Sequence, residues 1–137
     1  MSLPEDVGMC FACGPANPIG LKLDFQFVDG IFMAKFTPKP EHQGYDKITH
    51  GGIISTLLDE AMAKLVYVLG NNAVTAELNV RFRKPAIVGK ELIVSGRVIS
   101  EAHRVIECAA EIRYSDGGLV AEAFGKMMKP KGGITDD

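Results

Sequence analysis

Cysteine is scarce in this chain, and so is any surplus of charge. Three cysteines make an odd number, so no disulfide framework organises the fold. Cys10 and Cys13 form a single C-x-x-C in "MCFACGPANPIG". Zinc at such a pair requires two more ligands at short spacing, and the histidines at 42, 50 and 103 are too scattered to supply them. A redox role of the thioredoxin kind needs the motif to follow a strand and open a helix. Here Gly14, Pro15 and Pro18 follow, which reads as a turn-rich segment with two half-buried thiols. Neither a metal nor a cofactor is expected.

The formal net charge is −2, which argues against nucleic acid as the main partner, because a polyanion binder presents a basic surface. Only "RFRK" at 81–84 and "KMMKPK" at 126–131 are locally basic, enough for a few phosphates. Long apolar runs are lacking too. The longest, Ile53 to Leu69, is interrupted by Asp59, Glu60 and Lys64, so no membrane span is expected. The start, "MSLPEDVGMC", lacks the basic and apolar regions of a secretory signal, and a cytoplasmic location is the expectation. No internal repeat or linker divides the chain, and 137 residues suit a single domain over 1–137 with a full core.

What is present is a change of period. Residues 1–19 are rich in turn formers and read as an irregular lead-in. "LKLDFQF" alternates, with Leu21, Leu23, Phe25 and Phe27 on one face; Asp29-Gly30 is a hairpin turn, and "IFMAKF" is the returning arm. Pro38 and Pro40 make the next stretch a loop. A helix occupies "THGGIISTLLDEAMAKLVYVLG", and strands follow: "AVTAELNVRFR", "ELIVSGRVIS", "RVIECAAEIRYS" and "LVAEAFGKMM". His103 falls in a turn, and Asp116-Gly117-Gly118 makes a tight one. The tail over 130–137 is expected to be flexible. The order predicts an α+β domain: a hairpin, one long helix, then four antiparallel strands in a meander, with the helix on one face of the sheet. Its open edges favour pairing with a second copy, through an edge or through the helix side.

Two acids interrupt the helix. At about 100° per residue, Ile53, Ile54, Leu57, Leu58, Ala61, Leu65, Val68 and Leu69 form the apolar face. Glu60 flanks it with Lys64 four residues on, which reads as a solvated pair. Asp59 lies at the other edge, beside Met62 and Val66, with no base three or four residues away. Asp is a poor interior helix residue, and an unpaired one against apolar neighbours is costly. Either Asp59 pairs elsewhere in the fold or faces water, or it points into a cleft that needs a carboxylate. Just before the helix, His50-Gly51-Gly52 leaves the first amides unshielded by side chains, at the end where partial positive charge suits a developing oxyanion. Gly51 and Asp59 lie roughly 12 Å apart along the axis. A single substrate touches both only if the acid comes from a neighbouring copy.

These residues carry a resemblance. His50-Gly51-Gly52, the acid nine residues after the histidine, "ELNVRFRKPA", "CFACGPANPIGLKL" and "HQGYDKITHGG" are similar to hotdog-fold acyl-CoA thioesterases of the phenylacetate-pathway type, over roughly Cys10 to Lys129. The resemblance implies a long central helix wrapped by a curved antiparallel sheet, in a dimer or a dimer of dimers with sites at the interface. It implies a backbone N–H from Gly51 to the thioester carbonyl, with Asp59 of the partner as general base or nucleophile. Thr75 would orient water or the acid, and His50 and Gly52 would line the site. Relatives place Asn six residues before the histidine, where this chain has Gly44, with His42 and Gln43 as the nearest polar replacements. Arg81, Arg83 and Lys84 are candidates for the phosphates of coenzyme A, or equally a charged strand face turned to water. The implied activity is hydrolysis of a small, medium or aromatic acyl-CoA. The rivals are a non-catalytic acyl-CoA sensor and a dehydratase or acyl-carrier-protein enzyme on the same fold.

Overall fold

The computed structural model describes residues 7–130; the first six residues and most of the expected 130–137 tail lie outside the described residues. Residues 7–19 form turns without a strand, as the density of Gly, Pro and Asn predicts. The hairpin comprises β1 (Gln26–Val28) and β2 (Ile31–Phe36). Its turn residues Asp29 and Gly30 have φ of +50° and +81°, the left-handed pair that a two-residue primed turn demands.

The first arm is shorter than its alternation predicts. Lys22 sits at φ +55°, which breaks the extended run. The Leu21 and Leu23 N–H groups instead donate to the Phe11 and Ala12 carbonyls at 2.8 and 2.9 Å. Leu21 and Leu23 are buried all the same, while Phe27 is exposed.

Helix α1 spans Gly51–Val68, and β3 (Val74–Phe82), β4 (Leu92–Ala102), β5 (Val105–Tyr114) and β6 (Leu119–Met128) follow. All six strands form one antiparallel sheet in the order β1-β2-β4-β5-β6-β3. The expected four-strand meander is therefore corrected: only β4–β5–β6 meander. The helix carries the chain across the sheet and delivers β3 to the free edge of β6. The segment 83–91 then returns to place β4 beside β2.

The helix packs on one face of the sheet through Ile54, Leu57, Leu58, Ala61, Met62, Leu65 and Val66, an i, i+3, i+4 stripe. Burial of each large side chain stabilises the fold by roughly 1.5–3 kcal/mol. The stripe is rotated from the expected one: Met62 and Val66 lie in the core, while Val68 and Leu69 emerge into solvent. That rotation carries Asp59 toward the sheet. Gly96 of β4 sets the spacing, because a β-carbon there would stand 2.4 Å from the Ala61 carbonyl oxygen. Helix backbone and strand backbone meet directly.

Candidate active site

The helix start is built by its cap. His50 is the N-cap, and its Nδ1 accepts the Gly52 N–H at 2.8 Å. Its own N–H donates to the His42 carbonyl, which ties the preceding loop to the helix. A β-carbon on Gly52 would lie 3.0 Å from that Nδ1, so the second glycine makes room for the cap. With Gly52 engaged, the first amide is left over. The Gly51 N–H has no acceptor among the described residues.

That amide borders a cleft of about 380 Å³ lined by Tyr45, Ile48, Thr49, Gly51, Ile54, Phe82, Arg83, Lys84, Pro85, Ala86 and Val120. Thr49 is one polar lining residue that the sequence reading missed. It is 5% exposed, and its Oγ1 has no hydrogen-bond partner. A hydroxyl directly before the capping histidine at a helix start was the available signal. Gly44, in the position of the relatives' Asn, packs against His50. Its polar neighbours are committed locally: Gln43 Oε1 accepts the Lys47 N–H at 3.0 Å, and His42 Nδ1 accepts the Lys39 N–H at 2.9 Å. Burial lowers the His42 pKa from its ordinary value.

Asp59 is half-buried, and Thr75 Oγ1 donates to its Oδ1 at 2.7 Å. Thr75 stands at the start of edge strand β3, where the register against β6 shifts between Thr75 and Glu77. A bulge of this kind re-aims a side chain, and here the hydroxyl turns inward onto the helix. No basic side chain pairs with Asp59 among the described residues. The structure thus brings Asp59 and Thr75 together, and separates both from the Gly51 amide of the same chain by two helical turns.

Glu60 departs from its expected solvated flank. It is half-buried, and a carboxylate oxygen of Glu60 and the sulfurs of Cys10 and Cys13 all lie within 4.8 Å of one another. Lys64 holds its ammonium 5.1 Å from the centre of the Tyr67 ring.

The three cations also separate. Lys84 borders the cleft, with its Nζ against the turn at Gly118. Arg83 borders it too, but its guanidinium is held by Glu122 at 2.7 Å. Arg81 lies outside this cleft, in a depression with Glu77, Asn79 and Glu122.

A helix clasped by a six-stranded antiparallel sheet in this order defines the hotdog class. Residues 46–121 match the thioesterase superfamily, more than half of the chain, and the protein belongs to that family. It is 32% identical to the acyl-coenzyme A thioesterase THEM4 of Xenopus laevis over 96 residues, covering 69% of this chain and 43% of that protein. The chain thus spans less than half the length of that curated relative. A thioesterase superfamily protein of known structure superposes with a TM-score of 0.83 at 25% identity, over 89% of this chain and 61% of the other. A Bacillus halodurans protein whose structure was determined with CoA gives a TM-score of 0.74 at 28% identity, over 81% of this chain and 76% of the other.

Proposed function

We propose that the protein hydrolyses the thioester of an acyl-CoA, with each site shared by two copies of the chain. The single observation that carries this reading is the half-buried carboxylate in mid-helix, oriented by a threonine hydroxyl at 2.7 Å and unpaired with any described cation. Such a group is placed for chemistry rather than for a surface ion pair.

The edge of the sheet supplies the second copy. Seven of the nine residues of β3 are exposed, including Val74, Leu78 and Phe82, and nothing covers the strand's outer edge among the described residues. Pairing through this edge would bring Asp59 of one copy opposite the Gly51 amide of the other and answer the roughly 12 Å separation within one helix.

In this arrangement Gly51 donates its N–H to the thioester carbonyl, and one such donor lowers the barrier by about 3 kcal/mol. Asp59 takes the proton of a water that attacks the carbonyl carbon, or attacks that carbon itself; general-base help of this kind is worth about 10²–10⁴-fold. The tetrahedral oxyanion collapses and expels the CoA thiolate. Thr75 holds the carboxylate, and the unpartnered Thr49 hydroxyl meets polar atoms of the substrate in the cleft. His50 and Gly52 build the helix start. Arg83 and Lys84, at the cleft, take the CoA phosphates, and Arg81 on the same strand adds positive charge. A cytoplasmic location accords with this substrate, and no helix among the described residues is long and apolar enough to cross a membrane.

The cap also bears on the dehydratase rival. A neutral imidazole whose Nδ1 accepts an N–H carries its proton on Nε2. His50 is then a donor at its free nitrogen and no proton acceptor, which favours hydrolysis. A sensor would bind acyl-CoA without turnover. The test is a panel of short, long and aromatic acyl-CoAs. Parent protein should release CoA thiol from some of them, and Asp59→Asn should lose most of that turnover while keeping its oligomeric state. Binding without hydrolysis by the parent, or a strictly monomeric active protein, would refute the proposal.

A further inference from the structure

The C-x-x-C of the lead-in belongs to a three-residue cluster outside the cleft. The sequence alone offers two ligands there, and the helix contributes the third. The loop is closed tightly: Gly14 N–H donates to the Cys10 carbonyl at 2.8 Å, and a β-carbon at Gly14 would stand 2.4 Å from the Cys10 nitrogen. Only glycine fits there. The next segment anchors both intervening carbonyls, since Leu21 and Leu23 donate to Phe11 and Ala12. This tight turn puts both sulfurs on one side, and the Cys13 N–H points at Cys10 Sγ at 3.5 Å. Amide donation to sulfur stabilises a thiolate. Glu60 then approaches from α1, one residue past Asp59, and the three ligand atoms lie within 4.8 Å of one another.

The cluster joins two soft sulfurs from one tight turn to one carboxylate oxygen from the helix. We propose that Cys10, Cys13 and Glu60 form a binding site for a divalent cation of borderline softness, zinc by its ligand set, with water in the fourth position. Two thiolates and a carboxylate are zinc ligands, at bond lengths of about 2.3 and 2.1 Å. Tetrahedral closure at those lengths brings the sulfurs to roughly 3.8 Å, a small side-chain adjustment from the present spacing. The ion would staple the lead-in to the helix that carries Asp59. The proposal is independent of the thioesterase reading, because its test uses no substrate.

The experiment takes the full-length protein, reduced with a phosphine and stripped with a chelator, and titrates it with Zn²⁺ alone against a chromophoric chelator. One Zn²⁺ per chain is expected, and Co²⁺ in its place should show thiolate-to-metal absorption. The double variant Cys10→Ser/Cys13→Ser should lose binding by at least about 100-fold. Glu60→Gln, nearly isosteric, should weaken it by roughly 10–100-fold with an unchanged circular-dichroism spectrum. No stoichiometric binding by the reduced parent, as for a pair that serves only as a disulfide, would overturn the proposal. So would equal affinity in either variant.

Discussion

Replacing Thr75 by Val tests whether the carboxylate is held for chemistry. Valine matches threonine in shape and suits a strand, so the change removes one donor and little else. The lost bond runs from Thr75 Oγ1 to Asp59 Oδ1 at 2.7 Å, the short, charge-assisted kind worth about 1.5–3 kcal/mol. If that orientation is needed fully in the transition state, at 1.36 kcal/mol per decade the turnover falls by about 10–150-fold. Loss of the donor also leaves a half-buried acceptor short of a partner, so the melting temperature should drop by several degrees. Rates are therefore compared well below either midpoint. The assay follows release of the CoA thiol with a chromogenic disulfide reagent. Cys108 is fully buried, with its thiol pushed up to about 11, and stays silent. Cys10 and Cys13 are half-buried and give a slow enzyme-only background to subtract. A Thr75→Val protein that melts lower yet hydrolyses acyl-CoA at the parent's rate would refute the reasoning, because the bond would then serve stability alone.

Three further outcomes are expected. Gly96→Ala drives a methyl to 2.4 Å from the Ala61 oxygen, and urea titration should show a loss of at least about 3 kcal/mol or no folded protein. Gly52→Ala sets its β-carbon 3.0 Å from His50 Nδ1 and should cost about 1 kcal/mol through the disturbed cap, read as a lower denaturant midpoint. Burial, the largest influence on His42, lowers its folded pKa below the unfolded value, so the unfolded chain binds the extra proton first. The stabilisation this brings is present above the ordinary histidine pKa and is lost as pH falls toward and through the folded pKa. Urea midpoints measured from about pH 7.5 to about pH 5.5 should fall less steeply for His42→Asn than for the parent.

Local rules were legible in the sequence wherever the structure obeys them. Asp29-Gly30 announced its turn, Leu119 to Met128 its whole strand, and the run before Lys84-Pro85 the extent of β3 almost to the residue. Asp59 stood out because no neighbour on its own helix could explain it, and its partner came from sixteen residues away. What stayed hidden is non-local. The place of β3 beside β6 depends on which edge the helix leaves open, and strand periodicity carries no trace of that. Lys22 broke a clean alternation through its backbone conformation, although Leu21 and Leu23 kept their burial. Glu60 and Lys64 had the spacing of an ion pair, but nothing in that spacing told that the two lead-in thiols would lie beside the acid or the Tyr67 ring beside the amine. Arg81 and Arg83 alternate onto the same side of β3, but only Arg83, at the strand's end, also reaches the cleft.

The bare contact between Gly96 and the Ala61 carbonyl has a consequence for the acid two residues earlier. Side chains between a helix and a sheet act as compressible spacers, but two main chains in touch leave no slack. The height of Asp59 above the strands is thereby gauged by peptide geometry itself. In the proposed reaction its carboxylate would need no reorganisation when the thioester carbonyl arrives. Drift in the surrounding apolar residues could then reshape what binds without shifting the carboxylate.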